Sequence, residues 1–309
     1  MAVALTPAQS EVLDLLRQRH RPRPEVEPTA AADLRRRMES SLAALAAGLS
    51  SPVFIGKNDL TQVHACEAHH QALRAQPFAW SVATARGSVA HRAIELSLHR
   101  RDRPAPLVLV DDALARLEDD PDGGLGRFLV ELDEPARAEL RAEVNDVVAK
   151  FCELWPPLAR RWAPRTEARV RAELCHARLQ LGGRIDLALG TASGTTAGSV
   201  LVDLKTGGSS STHLDDLRFY ALLETLRVGV PPLRLACYYL DSGTFTTEDV
   251  DADVLEAALL RTVAGARRIM ELALGLRSAS ITANRACAWC PLRGDCIAPG
   301  ALGDDQRDG

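Results

Sequence analysis

Lysine is the scarcest charged residue in this 309-residue sequence, occurring only at Lys57, Lys150 and Lys205. Arginine supplies almost all of the remaining positive charge, because lysine and arginine together number 37. A planar guanidinium suits salt bridges, whereas lysine offers a compact ammonium that can titrate. We therefore expect a lysine inside a polar motif, as at Lys205, to serve chemistry rather than solubility.

Long apolar runs are also missing. No segment approaches the roughly 20 apolar residues that a membrane-spanning helix needs, and residues 42–49 are a short stretch rich in alanine. The N-terminal residues 1–7 lack both a basic start and an extended apolar core, so they are not typical of a signal peptide. With 46% hydrophobic and 25% charged residues and a net charge of -4, the sequence predicts a cytoplasmic globular chain.

The pattern of hydrophobic residues predicts helices first and strands later. Helical periodicity favours helices at 6–17, 30–49, 58–73, 87–98 and 134–154. Alternation with a period of two then predicts strands at 170–181, 185–189, 199–204 and 233–240, with helices at 213–227 and 250–276. The pair Gly182-Gly183 is expected to separate the first two strands. This order indicates a three-layer α/β core.

Two carboxylates and a lysine fall near the ends of neighbouring predicted strands. Alternation places Asp203 and Lys205 on one face of their strand, and Asp186 lies within reach if the strands pair. Such carboxylates are ordinary ligands for Mg²⁺ or Mn²⁺, which can activate water and stabilise charge on a phosphoryl oxygen. Glu173 is an additional candidate. The alternative is a set of solvated surface charges.

These residues resemble a known family. Gly183-Arg-Ile-Asp186 and Asp203-Leu-Lys205-Thr-Gly are similar to motifs II and III of the RecB-like branch of the PD-(D/E)xK nucleases. Gly87, His91 and Glu95 match the Gly-x-x-x-His-x-x-x-Glu pattern of a helix upstream in that branch. The resemblance implies that His91 is a third metal ligand. Without it, His91 would be interpreted as an ordinary, partly buried histidine.

The same branch carries a Gln-x-x-x-Tyr motif on the helix after motif III. The matching residues here begin with Asp216 and end with Tyr220, so aspartate replaces the glutamine. A carboxylate cannot donate hydrogen bonds and repels phosphate unless a cation, such as Arg218 or the metal, compensates. The resemblance implies that Asp216, Arg218 and Tyr220 lie beside the substrate, and plain helix packing is the alternative for Tyr220.

Seven cysteines, an odd number, argue against a disulfide scaffold and favour a metal site. Cys287, Cys290 and Cys296 form a compact cluster, and Cys66 is the candidate fourth ligand. This arrangement resembles the iron–sulfur RecB-like nucleases, including AddB-type helicase-nucleases and the nucleases of CRISPR adaptation. By that resemblance the four cysteines hold a [4Fe-4S] cluster. Zinc remains the alternative occupant.

The resemblance therefore implies a PD-(D/E)xK restriction-endonuclease-like α/β core at residues 51–300, with a central mixed sheet flanked by helices and a C-terminal iron–sulfur loop. A helical extension at 1–50 and a disordered tail at 301–309 complete the prediction. The expected function is a Mg²⁺- or Mn²⁺-dependent DNA exonuclease acting on ends or single strands in repair, recombination or defence. A helicase, recombination or defence-complex protein is an expected partner. The alternative is a weakly active or inactive DNA-binding subunit with a nuclease fold.

Overall fold

The computed structural model describes residues 4–17, 23–100, 102–120, 124–210 and 212–296, so the tail expected at 301–309 lies outside the described residues. A six-stranded mixed sheet forms its centre, and helices cover both faces. The α/β architecture predicted from the sequence is therefore confirmed. None of the helices in these ranges is long and apolar enough to cross a membrane.

The elements follow one another with helices concentrated before the main strands. The described helices are α1 (Pro7–Leu16), α2 (Ala30–Gly48), α3 (Lys57–Ala65), α4 (Glu67–Arg74), α5 (Val82–His99), α6 (Pro106–Glu118), α7 (Gly124–Glu131), α8 (Glu134–Leu154), α9 (Thr212–Val228) and α10 (Ala252–Ala273). The strands are β1 (Val53–Ile55), β2 (Arg165–Leu174), β3 (Leu179–Leu189), β4 (Val200–Lys205), β5 (Arg234–Tyr239) and β6 (Thr244–Asp249). Single-turn 3₁₀ helices lie at Arg160–Trp162 and Arg285–Trp289.

Strand β3 organises the sheet, because its two edges have different neighbours. Strand β2 runs antiparallel along one edge from end to end. On the other edge, β1 pairs in parallel with residues 179–181 and β4 pairs antiparallel with residues 187–189. Residues 182–186 therefore face a gap between β1 and β4 on that edge. Strands β5 and β6 extend the sheet beyond β4.

The turn between β2 and β3 differs from the prediction. The chain reverses at residues 175–178, where Cys175, His176 and Ala177 have φ angles of 51°, 56° and 61°. Gly182 and Gly183 instead lie within β3, so the expectation that they separate two strands was wrong. A Cβ atom on Gly183 would lie only 2.6 Å from the ring of Tyr220. This glycine allows a close approach between a helix and a strand.

Each face of the sheet has its own hydrophobic core. Helices α2, α3, α9 and α10 pack on one face, where Met38, Leu222 and Met270 are fully buried. Helices α5, α6 and α8 pack on the other face, around residues such as Val89 and Leu140. Helices α1 and α2 contribute apolar side chains to these cores. The N-terminal helices are thus packed into the same apolar interior as the sheet.

Candidate active site

Helix α5 brings His91 to the sheet. Its N-terminus is capped by Ser81, whose hydroxyl accepts a hydrogen bond from the Thr84 amide. One turn before the histidine, a Cβ atom on Gly87 would lie 3.1 Å from the Thr206 hydroxyl, so this glycine lets the helix approach the end of β4 closely. His91 Nδ1 then lies 3.5 Å from Asp186 Oδ1. The spacing between glycine and histidine therefore has a direct steric reason.

Asp186 lies where β3 and β4 diverge. The register between these strands ends at Leu187 and Val202, and beyond that point the Asp186 side chain takes the place of a strand partner. Its Oδ2 accepts a hydrogen bond of 2.7 Å from the Leu204 amide, while its Oδ1 faces His91. The carboxylate is thus fixed by the backbone of the strand that carries Asp203 and Lys205.

Glu167 joins this group although the sequence reasoning overlooked it. Its Oε1 lies 4.0 Å from His91 Nδ1, and ligand atoms of His91, Glu167 and Asp186 all lie within 4.8 Å of one another. Its φ of 48° interrupts the regular strand geometry of β2. The predicted strand began at Val170, beyond this residue. Only the polar stretch before that strand could have suggested it.

Glu173, the additional carboxylate suggested by the sequence, lies elsewhere. Its side chain is 53% exposed and pairs with Arg171 at 2.8 Å. Glu95, one helical turn after His91, forms an ion pair with Arg92. The alternation of β2 therefore turns Glu173 toward solvent, and the carboxylate beside His91 comes from the opposite end of the strand.

Asp203 is buried between two lysines. Lys205 Nζ lies 2.8 Å from Asp203 Oδ2, but the contact lacks hydrogen-bond alignment, and this buried oxygen has no hydrogen-bond donor in the described structure. Lys57, at the start of α3, donates a hydrogen bond of 3.1 Å to Asp203 Oδ1. Sequence reasoning found Lys205 but missed Lys57, which is separated from Asp203 by 146 positions.

The helix after β4 contributes Asp216 and Tyr220. Asp216 accepts a hydrogen bond of 3.1 Å from the Thr61 hydroxyl, and its Oδ2 lies 3.5 Å from Lys205 Nζ. The Tyr220 hydroxyl accepts a hydrogen bond of 3.3 Å from the Arg184 amide, and its ring is buried. Tyr220 therefore packs against the middle of β3 and also faces the charged cluster.

Arg218 lies on a different side of α9. Its guanidinium donates to Glu248 at 2.7 Å and to Asp215 at 3.1 Å. The sequence offered Arg218 or the metal as the cation that compensates Asp216; in the structure Arg218 pairs elsewhere, and the cations beside Asp216 are Lys57 and Lys205. Residues four positions apart share a helical face, whereas Arg218 falls between the positions of Asp216 and Tyr220.

Burial and nearby charges determine the pKa values of the titratable groups in this cluster. Burial opposes a charged imidazole, but Asp186 outweighs it and raises the pKa of His91 to about 9. Burial raises the pKa of Glu167, and repulsion from Asp186 adds to that effect. Burial would also raise the pKa of Asp186, but His91 and Lys57 lower it overall. Without a further cation, these carboxylates depend on protons and lysines for neutralisation.

The side chains fit a divalent metal ion. Asp186 and Glu167 offer carboxylate oxygens and His91 a ring nitrogen within 4.8 Å of one another, and Asp203, which is not part of that group, lies on the neighbouring strand β4. Asp203 Oδ2 is buried and lacks an aligned hydrogen-bond donor although Lys205 Nζ lies 2.8 Å away, so a metal ion could take over part of its neutralisation. His91 would bind as the neutral imidazole, so metal binding would release its proton. When bound, such a metal can acidify water and stabilise charge on a phosphoryl oxygen.

Hydrogen bonds connect the segment that precedes Cys287 to the junction between α3 and α4. Cys66 lies at this junction, and its sulfur accepts a hydrogen bond of 3.5 Å from the Thr282 amide. Asn284 connects the two regions, because its side chain donates to the Ala65 carbonyl at 3.2 Å and its amide donates to Cys287 Sγ at 3.4 Å. In the described part of the chain, no three cysteine sulfurs lie within 4.8 Å of one another.

An ion pair fastens the same segment. Arg277 donates to both oxygens of Glu67, at 2.6 and 2.8 Å, and the Ser280 amide donates to Glu67 at 2.9 Å. The hydrogen bonds from Arg277 hold the pKa of Glu67 down at about 2. Glu67, the first residue of α4, therefore docks the C-terminal segment against this helix.

A comparison with known protein families identifies the family of this chain. A model of the PD-(D/E)XK nuclease superfamily matches residues 58–296, which is most of the chain. This chain belongs to the PD-(D/E)XK nuclease superfamily. The match begins directly after Lys57, includes His91, Asp186, Asp203 and Lys205, and ends at Cys296. Membership supports a nuclease, and hence a hydrolase, in the general sense.

Two solved structures are similar to this superfamily member. A candidate exonuclease from Eubacterium rectale has 12% identity and a TM-score of 0.48, and the match covers 91% of this chain and 97% of that one. The protein SSO0001 has 14% identity and a TM-score of 0.35, with 86% of this chain and 95% of that one covered. No curated protein matches the sequence significantly.

Proposed function

We propose that this chain is a Mg²⁺- or Mn²⁺-dependent deoxyribonuclease of the RecB-like branch. The observation that carries the proposal is that His91 contacts Asp186, whose carboxylate is bonded to the Leu204 amide between Asp203 and Lys205, with Lys205 2.8 Å from Asp203. Three elements distant in sequence thus deliver metal ligands and a cation to one place. That combination is typical of sites that hydrolyse phosphodiester bonds.

Each side chain has a distinct role in this proposal. Asp186 and Asp203 hold the metal together with His91, and the Leu204 carbonyl offers a further oxygen. The Lys205 ammonium orients the attacking water or neutralises charge that develops on the phosphate. Its three donors and its position beside a ligand carboxylate suit either task.

Tyr220 and Asp216 line the side of the site toward the substrate. The ring of Tyr220 closes the site against β3, and Asp216 carries its charge beside two lysines. Arg218, bound to Glu248 and Asp215, would reach the substrate only by exchanging these partners.

The four cysteines are proposed to hold a [4Fe-4S] cluster. The support is the resemblance of Cys66, Cys287, Cys290 and Cys296 to the cysteines of the iron–sulfur RecB-like nucleases, and a four-thiolate zinc site is the alternative. Iron, sulfide and zinc content of anaerobically purified protein tests this assignment.

DNA is the proposed substrate, attacked as an exonuclease at ends or along single strands. The proposed setting is the cytoplasm, in repair, recombination or defence, with a helicase or another complex subunit as partner. The support is the resemblance of the motifs to the RecB-like branch, with its associated iron–sulfur cysteines.

A second candidate is a DNA-binding subunit that cuts weakly or not at all. The observation in its favour is Asp216, which replaces an amide of the resembling motif and adds negative charge beside the substrate. Against it stands the complete set of His91, Asp186, Asp203 and Lys205, because a pure binding surface gains nothing from clustered carboxylates that repel phosphate.

The test is cleavage of labelled single- and double-stranded DNA with Mn²⁺, comparing wild type with Lys205→Ala at equal cluster content. Metal-dependent cutting that the substitution abolishes would support the nuclease. No cutting by folded wild type would favour the binding subunit. Equal cutting by both proteins would mean contamination or a wrongly assigned site.

A further inference from the structure

Lys57 is a second ammonium in the charged cluster, contributed by an element outside the nuclease motifs. It is the first residue of α3, and its side chain is only 22% exposed. Its Nζ lies 3.1 Å from Asp203 Oδ1, 4.0 Å from Asp216 Oδ2 and 5.4 Å from the centre of the Tyr220 ring. A lysine this enclosed, in a chain with three lysines, requires an explanation beyond solubility.

The two lysines and two aspartates form a closed arrangement of alternating charge. Lys205 lies near the same two carboxylates as Lys57, at 2.8 Å from Asp203 and 3.5 Å from Asp216. Each oxygen of Asp203 therefore has one ammonium beside it. A divalent cation that binds Asp203 must compete with an ammonium, because cations close to one carboxylate repel each other.

Both lysines lie near Asp216, but among the described contacts only Lys57 also faces the Tyr220 ring, so Lys57 is the lysine expected to yield to the metal. It has two alternative partners in reach, the Asp216 carboxylate and the face of the Tyr220 ring. Asp216 is further anchored by Thr61, one turn after Lys57 on the same helix, so carboxylate and ammonium are held close together. The Lys57 ammonium can therefore move away from Asp203 and still have the Asp216 carboxylate as a counter-charge.

We propose that Lys57 is a positioning residue that occupies Asp203 before the metal arrives and neutralises Asp216 once the metal has bound. The inference rests on the proposed metal site at His91, Asp186 and Asp203. It also accounts for an aspartate at a motif position where an amide is expected. Asp216 is tolerated beside a phosphate because Lys57 cancels its charge.

Two opposite effects follow from removing this ammonium. Metal binding becomes tighter, because a competing positive charge leaves Asp203. Turnover becomes slower, because Asp216 is left with one lysine fewer beside the substrate phosphate. A lysine that merely supported the fold would behave differently, since its loss would loosen the site and weaken both metal binding and turnover.

The experiment measures Mn²⁺ affinity by electron paramagnetic resonance without nucleic acid, for wild type, Lys57→Met and Lys57→Gln. We expect both variants to bind Mn²⁺ about tenfold more tightly, which is the order expected when about 1.4 kcal/mol of competition is removed. Lys150→Met is the matched control, since Lys150 donates to the Asp241 carbonyl outside this cluster. Unchanged or weaker affinity in both Lys57 variants would overturn the proposal.

Cleavage assays with the same proteins separate this inference from the proposed function. Lys57→Met should cut more slowly, and adding Asp216→Asn should restore part of the lost turnover by removing the uncompensated charge. A double variant as slow as Lys57→Met would contradict the role assigned to Asp216. If wild type binds Mn²⁺ but cuts no DNA, the nuclease proposal fails and the affinity comparison still decides on Lys57. If no protein binds Mn²⁺, both proposals are wrong.

Discussion

The charged cluster and the cysteine segment are built in opposite ways. His91, Asp186 and Asp203 project from a long helix and two sheet strands, and each contacts another member of the site. The 3₁₀ helix Arg285–Trp289 has no buried residue, and the side chain of Trp289 is 70% exposed. The first region is positioned by the folded core, whereas the second depends on a few contacts and on whatever its thiols bind.

The largest expected effect concerns the cysteine segment. In the proposed cluster, Cys66 closes a loop of about 220 residues to Cys287, and the chain-entropy model assigns such a cross-link about 5 kcal/mol. Cys66→Ser should lower the free energy of unfolding by up to this amount, as measured by denaturant titration. Cys152→Ser, at an exposed cysteine, is the control. Equal stability of both variants would mean that no cross-link exists.

The next effect concerns the charged cluster. Asp186→Asn should reduce DNA cleavage by about three orders of magnitude, since the loss of a metal-holding carboxylate removes several kcal/mol of transition-state stabilisation. The melting temperature should change little, because the asparagine oxygen can still accept the hydrogen bond from the Leu204 amide. Glu173→Gln, on the exposed end of β2, is the control and should cut normally.

Glu167 offers a smaller and more specific test of the same region. Glu167→Gln keeps the shape of the side chain but removes a charge 4.0 Å from His91. We expect Mn²⁺ affinity to fall roughly tenfold, as is common when a group that supports a metal ligand is changed. Titration of metal-free protein with Mn²⁺ measures this, and an unchanged dissociation constant would place Glu167 outside the metal site.

Sequence reasoning succeeded where local pattern and chemistry coincide. Asp203 and Lys205 lie together because strands alternate, and His91 lies beside Asp186, while the metal-binding role that the resemblance implied for His91 stays a prediction. The position of Lys57 in the site was not predicted, because its partner Asp203 is distant in sequence and its own helix bears no motif. Glu167 was not predicted as a site residue, because its left-handed backbone breaks the alternation on which strand prediction depends.

The prediction that Gly182-Gly183 separates two strands was wrong for a related reason. Gly182 and Gly183 are typical of turns, but here Gly183 makes room for the ring of Tyr220, a contact between elements far apart in sequence. The reversal occurs instead at three residues with positive φ, none of which is glycine. Local sequence does not distinguish a glycine that turns the chain from one that admits a neighbouring side chain.

The smallest expected effect tests how the cysteine segment is fastened without its cluster. Arg277 holds the pKa of Glu67 down at about 2 in the folded protein, against an ordinary value of 4.5. A lowered folded-state pKa stabilises the fold above pH 4.5, and this contribution is lost as pH falls toward 2. Because the Arg277 side chain is 31% exposed, we expect only about 1 kcal/mol.

Glu67→Gln should therefore be less stable than wild type at pH 6, and the two should converge as the pH is lowered through this window. Denaturant titration from pH 6 to pH 2.5 measures the difference, and Glu173→Gln corrects for general acid effects. A constant difference across the range would show that Glu67 supports the segment by packing alone. Convergence would show that the charged Glu67–Arg277 pair contributes to holding the segment against α4.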